Sequence, residues 1–152
     1  VALGANLGDA VATVQQALRD VAGLPGTQLL KASSLYRSAP YEAQGPDFIN
    51  AVALIQTQLG PLALLHALQA LELQSGRERP YKNAPRTLDL DVIFYGDVSL
   101  ESPELILPHP RWQERAFVLQ PLFEVWPERV SAVQLAAVQN QAIQRINLQD
   151  LP

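Results

Sequence analysis

Asp89 and Asp91 are the side chains of this 152-residue chain whose type and spacing point most directly to chemistry. They lie in the run Pro85-Arg86-Thr87-Leu88-Asp89-Leu90-Asp91-Val92-Ile93-Phe94-Tyr95. Two residues apart in a β-type stretch, their carboxylates leave one face of a strand, ~7 Å from each other. Leu88, Leu90, Val92 and Phe94 take the other face and supply its core contact, while Ile93 and Tyr95 replace the acids farther along. Like charges placed this way repel. Mg²⁺ would compensate, because a hard cation takes carboxylate oxygens and substrate phosphates as ligands. Arg86, just upstream, has the planar fork that suits the phosphates themselves. D-x-D alone fits a solvated strand end equally well, so its neighbours decide.

Those neighbours favour a small polyanion. Arg77, Arg79, Lys82, Arg86, Arg111 and Arg115 place six of the eleven Lys and Arg residues between positions 77 and 115, in a chain of net charge −4. A local basic cluster in an acidic protein suits a nucleotide better than a DNA duplex. His109, braced by Pro108 and Pro110 and followed by Arg111 and Arg115, suits a phosphate contact; an isolated histidine is otherwise a structural one. Phe117 either fills the core or stacks on a heterocycle. Ser38, Tyr41 and Phe48 flank the first loop, as the other wall of such a slot or as ordinary strand ends. Asn50 is either a satisfied core amide or the reader of a ligand edge. Together these residues suggest Mg²⁺-dependent chemistry on a nucleotide with a flat second substrate. His66, inside a leucine-rich helix, reads as structural.

The totals exclude several alternatives. Without cysteine there are no disulfides, thiolate metal sites or Cys nucleophile. With only His66 and His109, no histidine metal cluster competes. No apolar run approaches membrane-spanning length and no signal peptide is visible, so cytoplasm, and no membrane or nucleic-acid partner, is the expectation. The 48% hydrophobic and 17% charged residues fit one soluble domain over 1–152. The chain opens directly on strand-like Val1-Ala2-Leu3, which suggests that a few residues precede it.

The elements that must position these side chains follow from periodicity. Val1–Leu3 ends a strand, and Gly4-Ala5-Asn6-Leu7-Gly8-Asp9 reads as a structural turn, lacking P-loop and dinucleotide spacing, with Asp9 as N-cap. A helix carrying Val14, Ala17, Leu18 and Val21 ends near Gly23–Gly26. Thr27–Tyr36 reads as a strand, 41–46 as a loop, and Phe48–Thr57 as a strand. In that last strand Phe48, Asn50, Val52 and Leu54 share one face and Ile49, Ala51, Ala53 and Ile55 the other. Pro61 opens a helix with a Leu64, Leu65, Leu68, Leu71 stripe that ends at Gly76. Glu78–Ala84 reads as an exposed loop before the D-x-D strand, and Gly96-Asp97 turns the chain into a short strand at Val98–Leu100. The predicted order, β-α-β-β-α-β, is the α+β ferredoxin-like pattern: an antiparallel sheet covered by helices. An appended C-terminal hairpin, a helical stretch at Phe117–Trp126 and a last helix near Ser131–Ile143 complete it.

The chain resembles the 6-hydroxymethyl-7,8-dihydropterin pyrophosphokinase family of folate biosynthesis. The matching stretches are GANLGDA at 4–10, SSLYRSAP at 33–40, PDFINAV at 46–52, ELQSGRER at 72–79, APRTLDLDVIFYGD at 84–97 and LPHPRWQERAFVLQPL at 107–122. The resemblance implies transfer of the pyrophosphoryl group of ATP to the pterin hydroxymethyl oxygen, with AMP released. It implies that Asp89 and Asp91 hold two Mg²⁺ ions, and that Arg77 and Arg86 neutralise the phosphates and the transition state. It places His109, Arg115 and Arg79 on the triphosphate and Leu65, Gln69 and Val92 around the adenosine. Asn50 then reads the pterin edge, with the ring between Phe48 and Phe117 and further contacts from Ser38, Pro40 and Tyr41. The family's catalytic loop maps to roughly 78–85, where Asn83 stands in place of a common Trp. Phe48 occupies a place often held by Tyr, and Ile106 one that some members fill with Thr. The partners implied are small molecules acting on a monomer. Two other readings remain open at this stage: a ferredoxin-like module binding single-stranded RNA through sheet aromatics, and a Mg²⁺ nucleotidyltransferase with another acceptor.

Overall fold

Small and apolar residues alternate in Ala2–Ala5, and this strand, β1, sits inside the sheet between the two strands that carry Asn50 and the acids. The computed structural model describes residues 1–40, 45–75 and 88–147. After β1 come α1 (Ala10–Ala22), β2 (Thr27–Ala32), β3 (Tyr36–Ser38), β4 (Phe48–Thr57), α2 (Pro61–Ser75) and β5 (Asp89–Asp91). The tail adds β6 (Leu100–Glu101), β7 (Ile106–Leu107), α3 (Ala116–Val125), α4 (Ala132–Ala137) and β8 (Ile143–Arg145).

The sheet runs β5-β1-β4-β3-β8, with β2 also paired to β4, and every pairing is antiparallel. β3 pairs with Phe48–Asn50 and β2 with Ala53–Thr57, so both lie along one edge of β4. Counting β2 and β3 as one interrupted strand gives the antiparallel α+β, ferredoxin-like arrangement expected from the element order. β6 and β7 form a separate two-stranded ladder.

The two faces of the sheet are buried differently. On one, Leu3, Ala5, Ile49, Ala51, Ala53, Leu88, Leu90 and Val92 pack with Val14, Ala17 and Val21 of α1 and Leu64, Leu65 and Leu68 of α2. On the other, Val52 and Ile93 pack with Val118, Leu119, Leu122 and Val125 of α3. The expected parity of β4 therefore holds, as do the helix stripes. Asp9 caps α1 as its sequence position suggests, its Oδ1 accepting the Ala12 N–H at 3.1 Å. Of that helix's stripe, Leu18 packs at the edge of the core rather than inside it.

Four expectations are corrected. The Thr27–Tyr36 strand breaks at Ser33–Leu35, where Ser33 Oγ accepts the Val52 N–H at 2.9 Å and takes over a ladder bond. The D-x-D strand is short: the chain leaves the ladder after Asp91, alternation lasts only through Val92 and Ile93, and Phe94 packs on the α3 side with Tyr95 on the other. The strand after Gly96-Asp97 begins at Leu100 rather than Val98. The last helix covers only Ala132–Ala137, and the chain then turns to pair β8 with the free edge of β3. An unpaired edge of N–H and C=O groups outweighs the weak helix preference of residues 138–145. The expected loop at Glu78–Ala84 lies outside the described residues, as do positions 41–44 of the first loop.

Candidate active site

Antiparallel pairing sets the site's rows. Asp89 is opposite Gly4, Gly4 is opposite Asn50, and Asn50 is opposite Tyr36; two positions along, Asp91 is opposite Ala2 and Ala2 opposite Val52. Residues paired in this way point to the same face, here the α3 face. Three strands thus present an acid, a glycine and an amide side by side, with Asp89 and Asn50 roughly 10 Å apart across two strand spacings. Glycine at position 4 leaves the amide its place: a Cβ would come 3.1 Å from Asn50 Oδ1, and the amide would have to shift.

α3 covers only part of this face, and where the helix begins a cavity of about 270 Å³ remains. Its lining comprises Asp89 and Asp91 from β5, Ala2, Leu3 and Gly4 from β1, Phe48 and Asn50 from β4, Ser38 and Ala39 from and after β3, and Arg115, Phe117 and Val118 at the start of α3. Asn50 is 4% exposed and donates its Nδ2 to Ser38 Oγ at 2.8 Å, which fixes which edge the amide turns to the slot. The Arg115 guanidinium lies 5.5 Å from the Phe117 ring centre, a cation–π distance. Asp89, Asp91, Ser38, Phe48, Asn50, Arg115 and Phe117, scattered over 80 residues of sequence, are brought together here.

Supporting contacts come from residues not singled out by spacing. Glu72 on α2 accepts the Leu90 N–H at 2.9 Å, holding the short strand between its two acids. Glu124 on α3 accepts from Ser34 N–H at 2.9 Å, Ser34 Oγ at 2.8 Å and Tyr36 OH at 2.6 Å, with Arg145 Nη2 at 3.6 Å. This clamp ties the helix to the strand wall that carries Ser38. Burial pushes the Glu124 carboxyl up, but the bonds from Tyr36 and Ser34 and the Arg145 charge outweigh it and hold it below its usual range. Burial, reinforced by Glu124, raises the Tyr36 hydroxyl.

His109 does not line the cavity. Its N–H donates to the Ile93 carbonyl at 2.9 Å, and its Nδ1 accepts the Arg111 N–H at 3.1 Å. With Nδ1 accepting, a neutral ring carries its proton on Nε2. Burial pushes this imidazole below its ordinary value; Asp91 opposes that, and the Arg115 and Arg111 charges add to it. His109 is thus within electrostatic reach of Asp91 and of Arg115. Leu65 and Val92 are buried in the α1/α2 core, Gln69 is exposed on α2, and Pro40 follows the cavity-lining Ala39. Tyr41, Arg77, Arg79 and Arg86 lie outside the described residues. A further expectation is corrected: β1 runs through Gly4 and Ala5 rather than ending at Leu3, and the reason for a glycine at position 4 lies 46 positions away at Asn50.

Fold and cavity define a class: an α+β ferredoxin-like domain with a paired-carboxylate slot, flanked by an arginine and two aromatics, on the half-covered face of its sheet. Residues 1–127 match the family described as 7,8-dihydro-6-hydroxymethylpterin-pyrophosphokinase, HPPK, and the chain belongs to that family. It is 47% identical over 129 residues to a 2-amino-4-hydroxy-6-hydroxymethyldihydropteridine pyrophosphokinase of Pseudomonas aeruginosa, spanning 84% of this chain and 80% of that protein. A protein of the same name from Synechocystis is 44% identical over 130 residues, 86% of this chain and 67% of the relative. The folic acid synthesis protein fol1 of Pneumocystis carinii is 41% identical over 134 residues, 88% of this chain but only 18% of that longer protein.

Proposed function

We infer that this chain transfers the pyrophosphoryl group of ATP to the hydroxymethyl oxygen of 6-hydroxymethyl-7,8-dihydropterin in tetrahydrofolate biosynthesis. The hydroxyl oxygen bonds to the β-phosphorus, the bond from that phosphorus to the α,β-bridging oxygen breaks, AMP leaves with that oxygen, and the hydroxyl proton is lost. The observation that carries this reading is the single cavity uniting Asp89 and Asp91 with Asn50, Ser38, Phe48, Phe117 and Arg115.

In this reading the pterin lies between Phe48 and Phe117, its amide edge read by Asn50, with Ser38, Pro40 and Tyr41 beside it. Asn50 is suited to that work, since its Ser38 bond pre-sets one rotamer and leaves little to order on binding. Arg115, His109, Arg77, Arg79 and Arg86 take the triphosphate, and Leu65, Gln69 and Val92 the adenosine. Arg77 and Arg86 also neutralise charge in the transition state. Two carboxylates on one face, with no cluster of three or more metal-ligating side chains among the described residues, fit Mg²⁺, which binds through one or two carboxylates and completes its shell with phosphates and water. We assign Asp89 and Asp91 to two such ions, which when bound would neutralise the phosphates and align the displacement. The protein's own contribution is positioning: a rigid strand pair for the acids, a pre-bonded amide for the pterin, and a braced arginine.

No helix among the described residues is long and apolar enough to cross a membrane. We further propose one pyrophosphokinase domain over 1–152, working as a monomer in the cytoplasm. The test is nucleotide release followed with and without hydroxymethyl-dihydropterin, across a Mg²⁺ titration. AMP and pterin diphosphate in equal amounts, abolished by chelation, is the expected result. ADP with pterin monophosphate would reject the reading, and AMP release with an unrelated acceptor would point to a general nucleotidyltransferase.

A further inference from the structure

A helix begins with N–H groups that have no partner inside the helix, and a Ser, Thr, Asp or Asn side chain just before the first turn usually supplies an acceptor. At the start of α3 that position is Arg115, which makes no side-chain cap. Its guanidinium lines the cavity instead. The acceptor comes from the tail: Gln141 Oε1 accepts the Ala116 N–H at 2.9 Å, and Gln141 Nε2 donates to the Glu114 carbonyl at 2.7 Å. One side-chain amide thereby holds both residues that flank Arg115. Two residues later the same segment enters β8, whose Ile143 pairs with Ser38 on the opposite wall of the cavity.

We propose that Gln141, which lies beyond the 1–127 family match, is a positioning residue for the substrate site. From 25 residues away it takes the Ala116 N–H, the first donor of α3, which a side chain at position 115 does not reach, and it fixes the backbone from which Arg115 and Phe117 reach the slot. The tail is therefore a brace between the two walls of the cavity. The identity of the ligands rests on the function proposed above; the hold of the tail on the start of α3 does not.

The test uses the full chain and two readouts, Tm and the Kd for hydroxymethyl-dihydropterin and for a non-hydrolysable ATP analogue. Gln141→Ala should lower Tm by about 3 °C. It should also raise both Kd values roughly tenfold. Ser131→Ala removes the Oγ that accepts the Gln134 N–H at the start of α4, a similar cap in the same tail, and should lower Tm alike while leaving both Kd values unchanged. If Gln141→Ala behaves like Ser131→Ala, the positioning role is overturned. Failure of the parent protein to bind the pterin at all would reject the function proposed above, while the Tm of Gln141→Ala would still show whether the tail holds the start of α3.

Discussion

The two faces of one sheet have opposite fates. The face toward α1 and α2 is lined by Leu3, Ala5, Ile49, Ala51, Ala53, Leu88, Leu90 and Val92, without a polar side chain among them, and is closed by two helices. The face toward α3 is apolar where α3 lies, at Val52 and Ile93; toward the start of α3 it carries Asp89, Asp91, Gly4, Asn50 and Ser38 beside Ala2 and Phe48 and stays open. The strands are the same, and even the residues are neighbours: Leu90 is buried between two acids that point the other way. Cohesion and chemistry are thus divided by side-chain parity rather than by segment.

This division can be broken from either side. The largest effect should come from the open face: Asp89→Asn and Asp91→Asn should each lower kcat/KM on the order of a thousand-fold, several kcal/mol of lost charge stabilisation, with Tm within a few degrees of the parent. A large loss of Tm would mean that the acids hold the fold, and the division would fail. On the closed face, Leu68→Ala, at a side chain with no exposure, should cost about 3 kcal/mol and roughly 10 °C of Tm. Steady-state kinetics on the remaining folded protein should be unchanged. Gly4→Ala tests the seam, because its new methyl meets Asn50 Oδ1 at 3.1 Å; it should raise the KM for the pterin about tenfold and leave the KM for ATP as it was.

The smallest effect concerns the Glu124 clamp across the open face. Its carboxyl is held below the ordinary value of 4.5 in the folded chain. The unfolded chain therefore takes up its proton first, so this contribution is complete above that value and is lost as pH falls from there through the lower folded value. Thermal melts between pH 6 and 3 should show a steeper decline in the parent than in Glu124→Gln, with the two curves converging at the acid end.

Much of this division was legible in the chain itself. Period-two alternation gave both faces of β4 and the shared face of Asp89 and Asp91, and the leucine spacing gave the α2 stripe. What escaped depended on distant partners. The break at Ser33–Leu35 is stabilised by a serine bonding Val52. β8 replaces a helix because β3 has an open edge about a hundred residues earlier. Past Asp91 the alternation predicted for Phe94 and Tyr95 failed because the chain leaves the ladder, after which Phe94 packs edge-on against Trp112 at 4.8 Å. Gly4, Glu72 and Gln141 carry no local signal of their work, since each acts on a backbone or amide far away in sequence.

β4 is paired on both sides, to β1 on one and to β2 and β3 on the other. A single residue inserted between Phe48 and Ile49 would exchange the two faces from that point on. The amide would turn inward among leucines and Ile49 would fill the slot, so one codon would abolish stability and recognition together. In this segment the chain can trade side chains one at a time, but it cannot change its count.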